Sequence, residues 1–133
     1  MSADPAPRHQ SRERALTLLY EAELKGERPD AVLAALPVAP DPYVTTLLEA
    51  VDARLDEIDA LVGGAAIGWD LHRMAVVDRS VLRLATAELL ACGNVPTAVI
   101  LNEAVELASA FSTDDSGRFV NGVLATVATA VRP

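Results

Sequence analysis

The sequence predicts an all-α fold, a single compact helical domain, on three observations. No stretch alternates apolar and polar residues between the turn pairs of a hairpin, so no sheet is expected. Hydrophobic residues make up 51% of the chain and aromatics only 4%, which leaves the core to Leu, Val and Ala, residues that pack well between helices. Apolar positions also recur at three-four spacing along most of the chain, the pattern of helices that bury one stripe. At 133 residues the chain has the length of one domain and can bury a core without disulfides or metals.

Residues 1–7, with Ala, Asp and two prolines, read as a disordered lead-in, and 8–133 as the helical domain. Ser11 offers a cap for the first helix, whose apolar residues Ala15, Leu18, Leu19 and Ala22 run toward Gly26. A short second helix over Arg28 to Leu36 starts at Pro29 and is closed by Pro37, Pro40 and Pro42, because proline cannot continue a helix. Asp41 can cap a third helix, in which Val44, Leu47, Leu48, Val51, Leu55, Ile58 and Val62 form one continuous stripe. It is expected to stop at Gly63 and Gly64, with Asp70 capping a short turn that carries Trp69, Leu71 and Met74.

From Val76 to Cys92 apolar residues spread around the circumference, so this helix is expected at the centre. Gly93, Asn94 and Pro96 separate it from a helix over Thr97 to Phe111 with a stripe at Leu101, Ala104, Val105 and Ala108. After the polar turn Ser112 to Ser116, a last helix places Val120, Val123, Leu124, Val127 and Val131 on one face. Gly122 interrupts that pattern at a cost of about 1 kcal/mol relative to alanine, which suggests close approach of another backbone there. These segments make about six or seven helices.

A formal net charge of −8 argues against a protein that coats nucleic acid by bulk electrostatics, since phosphate binding is driven by Lys and Arg. Any RNA role is therefore local or shared. The single Cys92 makes no internal disulfide, and with only His9 and His72 beside it in the ligand inventory no metal site is expected. The first residues lack the apolar run of a signal peptide, and later apolar stretches are broken well before the roughly 20 residues a membrane span requires. A cytoplasmic protein with no membrane contact is the expectation.

The sequence traces of catalysis are absent: no glycine-rich phosphate loop, no nucleophile elbow, no paired-histidine helix, so no enzyme and no cofactor are expected. Asp114 and Asp115 offer carboxylates for Mg²⁺, but two acids before a helix read better as caps that favour its N-terminal dipole. Arg8, Arg12, Leu16 and Tyr20 are spaced by four along the first helix, with His9 and Arg14 widening the basic end. Guanidinium groups contact phosphate and an aromatic ring stacks on an unpaired base, an arrangement suited to single-stranded RNA. The other reading has solvated arginines and a Tyr20 ring packed on the core with its hydroxyl in water. Glu103 and Glu106 form a polar edge on the sixth segment, either a partner surface or a solvated face.

The segments Arg12 to Glu23 (RERALTLLYEAE), Val77 to Leu84 (VDRSVLRL) with Ala87, Glu88 and Leu89, Val95 to Leu107 (VPTAVILNEAVEL) and Phe111 to Leu124 (FSTDDSGRFVNGVL) resemble the NusB family of bacterial transcription antitermination factors. The resemblance implies two perpendicular three-helix bundles around a shared core. It implies a partner, the small-subunit ribosomal protein NusE, and a ligand, boxA RNA. The assembly would stabilise an RNA polymerase elongation complex with other Nus factors and promote read-through in ribosomal RNA operons. Matched position by position, it implies RNA-binding residues at Arg8, His9, Arg12, Tyr20, Asp78, Phe111, Asp115 and Phe119, with Arg14 added by its place in the basic end. His9 stands where another basic residue is typical and Glu13 interrupts the cluster, so free RNA affinity should be weak and the ribosomal partner should supply much of the positive surface. Two other readings remain beside it: an RNA-binding domain like those at the front of some ribosomal RNA methyltransferases, and a helical interaction module or homodimer that has lost most direct RNA binding.

Overall fold

The computed structural model describes residues 7–133, in seven α-helices and one 3-10 turn with no strand among the described residues. Of the lead-in expected over 1–7, all but Pro7 lies outside the described residues. Helix α1 (Arg8–Lys25) starts directly after Pro7 rather than at Ser11. Ser11 is not a cap: it is buried one turn inside the helix, where its hydroxyl donates to Asp41 Oδ1 at 3.3 Å. The helix ends on Gly26, whose φ of 64° permits the left-handed turn in which Glu27 N–H returns to Ala22 C=O at 2.9 Å.

Helix α2 (Pro29–Ala34) carries its proline at the first position, where no N–H is needed. Helix α3 (Pro42–Ala53) is capped by Asp41, whose carboxylate accepts from Tyr43 N–H at 2.9 Å. The expected continuous helix through Val62 is two helices. Arg54 leaves helical geometry at φ −124° and ψ 25°, and α4 (Leu55–Ala65) departs in a new direction, turning Ile58 and Val62 toward later helices. The stripe hides the break because one distorted residue leaves three-four spacing unchanged on both sides. Nor do Gly63 and Gly64 end the helix: both lie inside α4, and the turn falls at Gly68 with φ 83°.

Asp70 caps the 3-10 turn (Leu71–Arg73) by accepting from His72 N–H at 2.9 Å. Buried Arg79 fastens that turn by donating to Leu71 C=O at 3.2 Å and pairing with Glu23 of α1. Helix α5 (Val76–Ala91) is central, as expected. Val81, Leu82, Leu84, Ala87 and Leu89 are all buried, and α5 touches α1 and α3 on one side and α4, α6 (Thr97–Phe111) and α7 (Asp114–Val131) on the other. The helices thus fall into two groups that share α5, with α2 completing the first. Each fully buried leucine of this kind contributes about 1.5–3 kcal/mol.

Thr113 caps α7 by accepting from Ser116 N–H at 3.1 Å, and Asp114 and Asp115 occupy its first turn, where negative charge is favoured. Gly122 is exposed with nothing near it, contrary to the expected backbone approach. The close contact lies at Gly117, where an added Cβ would sit 2.5 Å from Ser109 Oγ of α6. At the far end Arg132 donates to the C=O groups of Leu89 and Cys92 at the end of α5 and of Val95 in the loop that follows, fastening the end of α7 to that turn. No described helix is long and apolar enough to cross a membrane.

Candidate nucleic-acid interface

The basic start of α1 splits in two directions. At 100° per residue a spacing of four drifts by about 40° per step, so a line through Arg8, Arg12, Leu16 and Tyr20 crosses from one side of the helix to another. Arg12 and Leu16 are buried, whereas Arg8 and Tyr20 reach the surface. Arg12 donates from Nε and Nη2 to the Glu88 carboxylate at 2.7–3.0 Å, and Tyr43 donates its hydroxyl to the same carboxylate at 2.5 Å. Burial lowers the pKa of the Arg12 guanidinium, but the hydrogen bond and charge of Glu88 outweigh it and hold the group above its ordinary value. Burial pushes the Tyr43 phenol up, with Cys92 and Glu88 adding to the effect. Arg12 therefore faces the core, and its contribution to the surface is to fix α1 against α5.

Arg8 stays exposed and lies over the Tyr43 ring, 3.9 Å from its centroid, a cation–π contact that holds its guanidinium near the protein surface. Arg14 is exposed and has no ionic or hydrogen-bonding partner among the described residues. His9 is bound to α6: its Nδ1 lies 2.8 Å from Glu103 Oε2. The hydrogen bond to Glu103, then that carboxylate's charge, raises the His9 pKa. Arg12 Nη1 also approaches Glu103, at 3.5 Å. The polar edge expected at Glu103 is thus a contact with α1.

Further along α1, Tyr20 shares a hollow with Phe111 of α6. With Leu16, Thr17 and Val77 they line a mostly apolar hollow of about 290 Å³, from which Tyr20 is 39% and Phe111 45% exposed. Two half-open rings from α1 and the end of α6 offer flat π-faces without any cost of exposing new apolar surface. Asp78 follows Val77 on α5, and its Oδ2 accepts from Ser116 Oγ at 3.1 Å, tying α5 to the first turn of α7. Asp115 is exposed and pairs with Arg118 one turn on. Phe119 is half-buried and packs on Trp69, with centroids 5.3 Å apart and planes at 59°. Tyr20 and Phe111 are therefore brought together, while Phe119 belongs to a separate aromatic pair.

Tyr43 and Glu88 organise this surface and were not singled out from sequence as site residues. The available signal for Tyr43 was its place directly after the Asp41-Pro42 helix start, and for Glu88 a charged residue in the apolar second half of the central helix, among Leu84, Ala85, Ala87, Leu89 and Leu90. Neither reveals the partner.

Comparison with known proteins bears on this surface. The model of the NusB family matches residues 9–129. The transcription antitermination protein NusB of Saccharopolyspora erythraea is 49% identical over 127 residues, spanning 91% of this chain and 86% of its own. That of Salinispora tropica is 46% identical over 128 residues, spanning 91% and 94%. Among solved structures, T. maritima NusB matches with a TM-score of 0.87 at 31% identity over 98% of this chain and 96% of its own. A chain in the crystal structure of antitermination factors NusB and NusE in complex with dsRNA matches with a TM-score of 0.79 at 26% identity, over 92% and 96%.

Proposed function

The chain belongs to the NusB family, and from that membership we propose that it is a transcription antitermination factor that pairs with the ribosomal protein NusE and binds boxA RNA. It then joins the RNA polymerase elongation complex with other Nus factors, in the cytoplasm, and promotes read-through in ribosomal RNA operons. Residues 8–133 act as one binding unit. The observation that carries this reading is the hollow, about three turns along α1 from its basic start, in which Tyr20 and Phe111 present half-open rings. Stacked bases need such rings, and phosphates need the exposed guanidinium groups of Arg8 and Arg14. His9, Asp115 and Phe119 extend the RNA surface, Asp78 accepts from a base amino group at its edge, and Arg12 acts from below by positioning α1.

The charge balance gives the partner its role. Few arginines face outward near the hollow and the chain carries a net charge of −8, so RNA bound by this chain alone is held weakly. NusE supplies the remaining positive surface. Anisotropy of a labelled boxA oligonucleotide should therefore show much tighter binding once NusE is added; equal affinity with and without NusE overturns the cooperative reading. One observation favours a second reading, a protein-interaction module or homodimer without much direct RNA contact: Arg12 is committed to Glu88 and His9 to Glu103. It predicts tight NusE binding or self-association with no RNA-dependent gain.

A further inference from the structure

The edge of α1 that reaches the aromatic hollow passes, at its other end, a cluster of unlike character. His9 of α1 and Glu103 and Glu106 of α6 each offer a donor atom, and these atoms all lie within 4.8 Å of one another. We propose that these three side chains form a site for a divalent transition-metal ion of the zinc type, which staples the start of α1 to α6.

The geometry needs little adjustment. Zn²⁺ binds imidazole nitrogen and carboxylate oxygen at about 2.0–2.2 Å, which places tetrahedral ligands roughly 3.3 Å apart. The His9 Nδ1 to Glu103 Oε2 distance of 2.8 Å opens slightly, and Glu106, an exposed side chain one turn along α6, swings in. Water completes the fourth position. On the other side of the ring, Glu13 Oε2 lies 3.8 Å from His9 Nε2, beyond hydrogen-bond range, and adds negative charge behind the imidazole.

Charge points the same way. Around the His9 imidazole stand the carboxylates of Glu13, Glu103 and Glu106, and the nearest cation, Arg12, is hydrogen-bonded to Glu88 and reaches Glu103 only at 3.5 Å. A dication removes the excess. The imidazole selects zinc-like ions over Mg²⁺ and Ca²⁺, which prefer all-oxygen shells. The sequence concealed the site because His9 and Glu103 are separated by 94 positions.

The test uses the full chain stripped with chelator and titrated with Zn²⁺ by calorimetry, with Co²⁺ as the spectroscopic probe. One ion per chain should bind, with the visible absorption of low-coordinate Co²⁺. His9→Gln should abolish saturable binding, Glu106→Gln should weaken it by about tenfold or more, and millimolar Mg²⁺ should leave it unchanged. Both positions are exposed, so far-UV circular dichroism should report unaltered folding, and the readout requires no RNA. The proposal is overturned by no saturable Zn²⁺ binding in the unmodified chain. It is equally overturned by binding of the same strength in both variants, which would locate the ion elsewhere, at His72 for example.

Discussion

Arg12 of α1 and Glu88 of α5 stand 76 positions apart in sequence and meet as a two-pronged ion pair sealed from solvent, with side-chain exposures of 4% and 1%. Removing one member of such a pair leaves a buried charge without a counter-charge. Arg12→Ala should therefore destabilise the fold by about 3–5 kcal/mol, read from urea denaturation. Replacing both residues with apolar side chains of similar size should recover much of that loss. A single-variant loss below 1 kcal/mol would show that water reaches the pair.

The hollow gives the complementary case. Tyr20→Ala and Phe111→Ala should each weaken the RNA-bound assembly by about 1–3 kcal/mol, the worth of one stacked base. Both rings are half-open, so the melting temperature should move little, and Tyr20→Phe should retain most affinity. Variants that lose stability but hold RNA normally would make the two rings packing residues.

Two glycines in α7 should respond in opposite senses. Gly122 has open space around it, so Gly122→Ala should stabilise the helix by about 0.5–1 kcal/mol. Gly117→Ala must displace the Ser109 hydroxyl, and should destabilise or at best be neutral. Thermal melts of the two variants decide the matter.

His9 should titrate above its ordinary value of 6.5 in chelator-treated protein, because the Glu103 hydrogen bond and charge favour the imidazolium. The sign follows from linkage: a raised folded-state pKa contributes stability that is complete below the unfolded value and disappears as pH climbs through the folded value. Glu103→Gln should return the midpoint, followed by histidine ring resonances, toward 6.5. A midpoint unmoved by that change would mean the contact is not formed in solution.

Local sequence rules captured what is local. The bounds of α6, Thr97–Phe111, follow from Pro96 before it and a polar turn after it, and the central place of α5 follows from apolar residues all round. The caps at Asp41, Asp70 and the turn before α7 were legible for the same reason. Arg54 was not, since a break without glycine or proline leaves no mark on periodicity. Ser11 has the chemistry of a cap but is drawn inward by Asp41, a partner 30 positions away. The site divides along the same line. Tyr20 and Phe111 were legible as aromatic residues at matched positions, whereas the inward turn of Arg12 depends on Glu88, which no spacing along α1 can announce.

The single distorted residue between α3 and α4 also governs how the molecule comes apart. Because Arg54 provides a corner and no slack, and both neighbouring helices lean on α5, neither half can swing free while the other stays intact. Melting should consequently proceed in one cooperative step, with amide protons of α3 and α4 exchanging at a common rate-limiting opening.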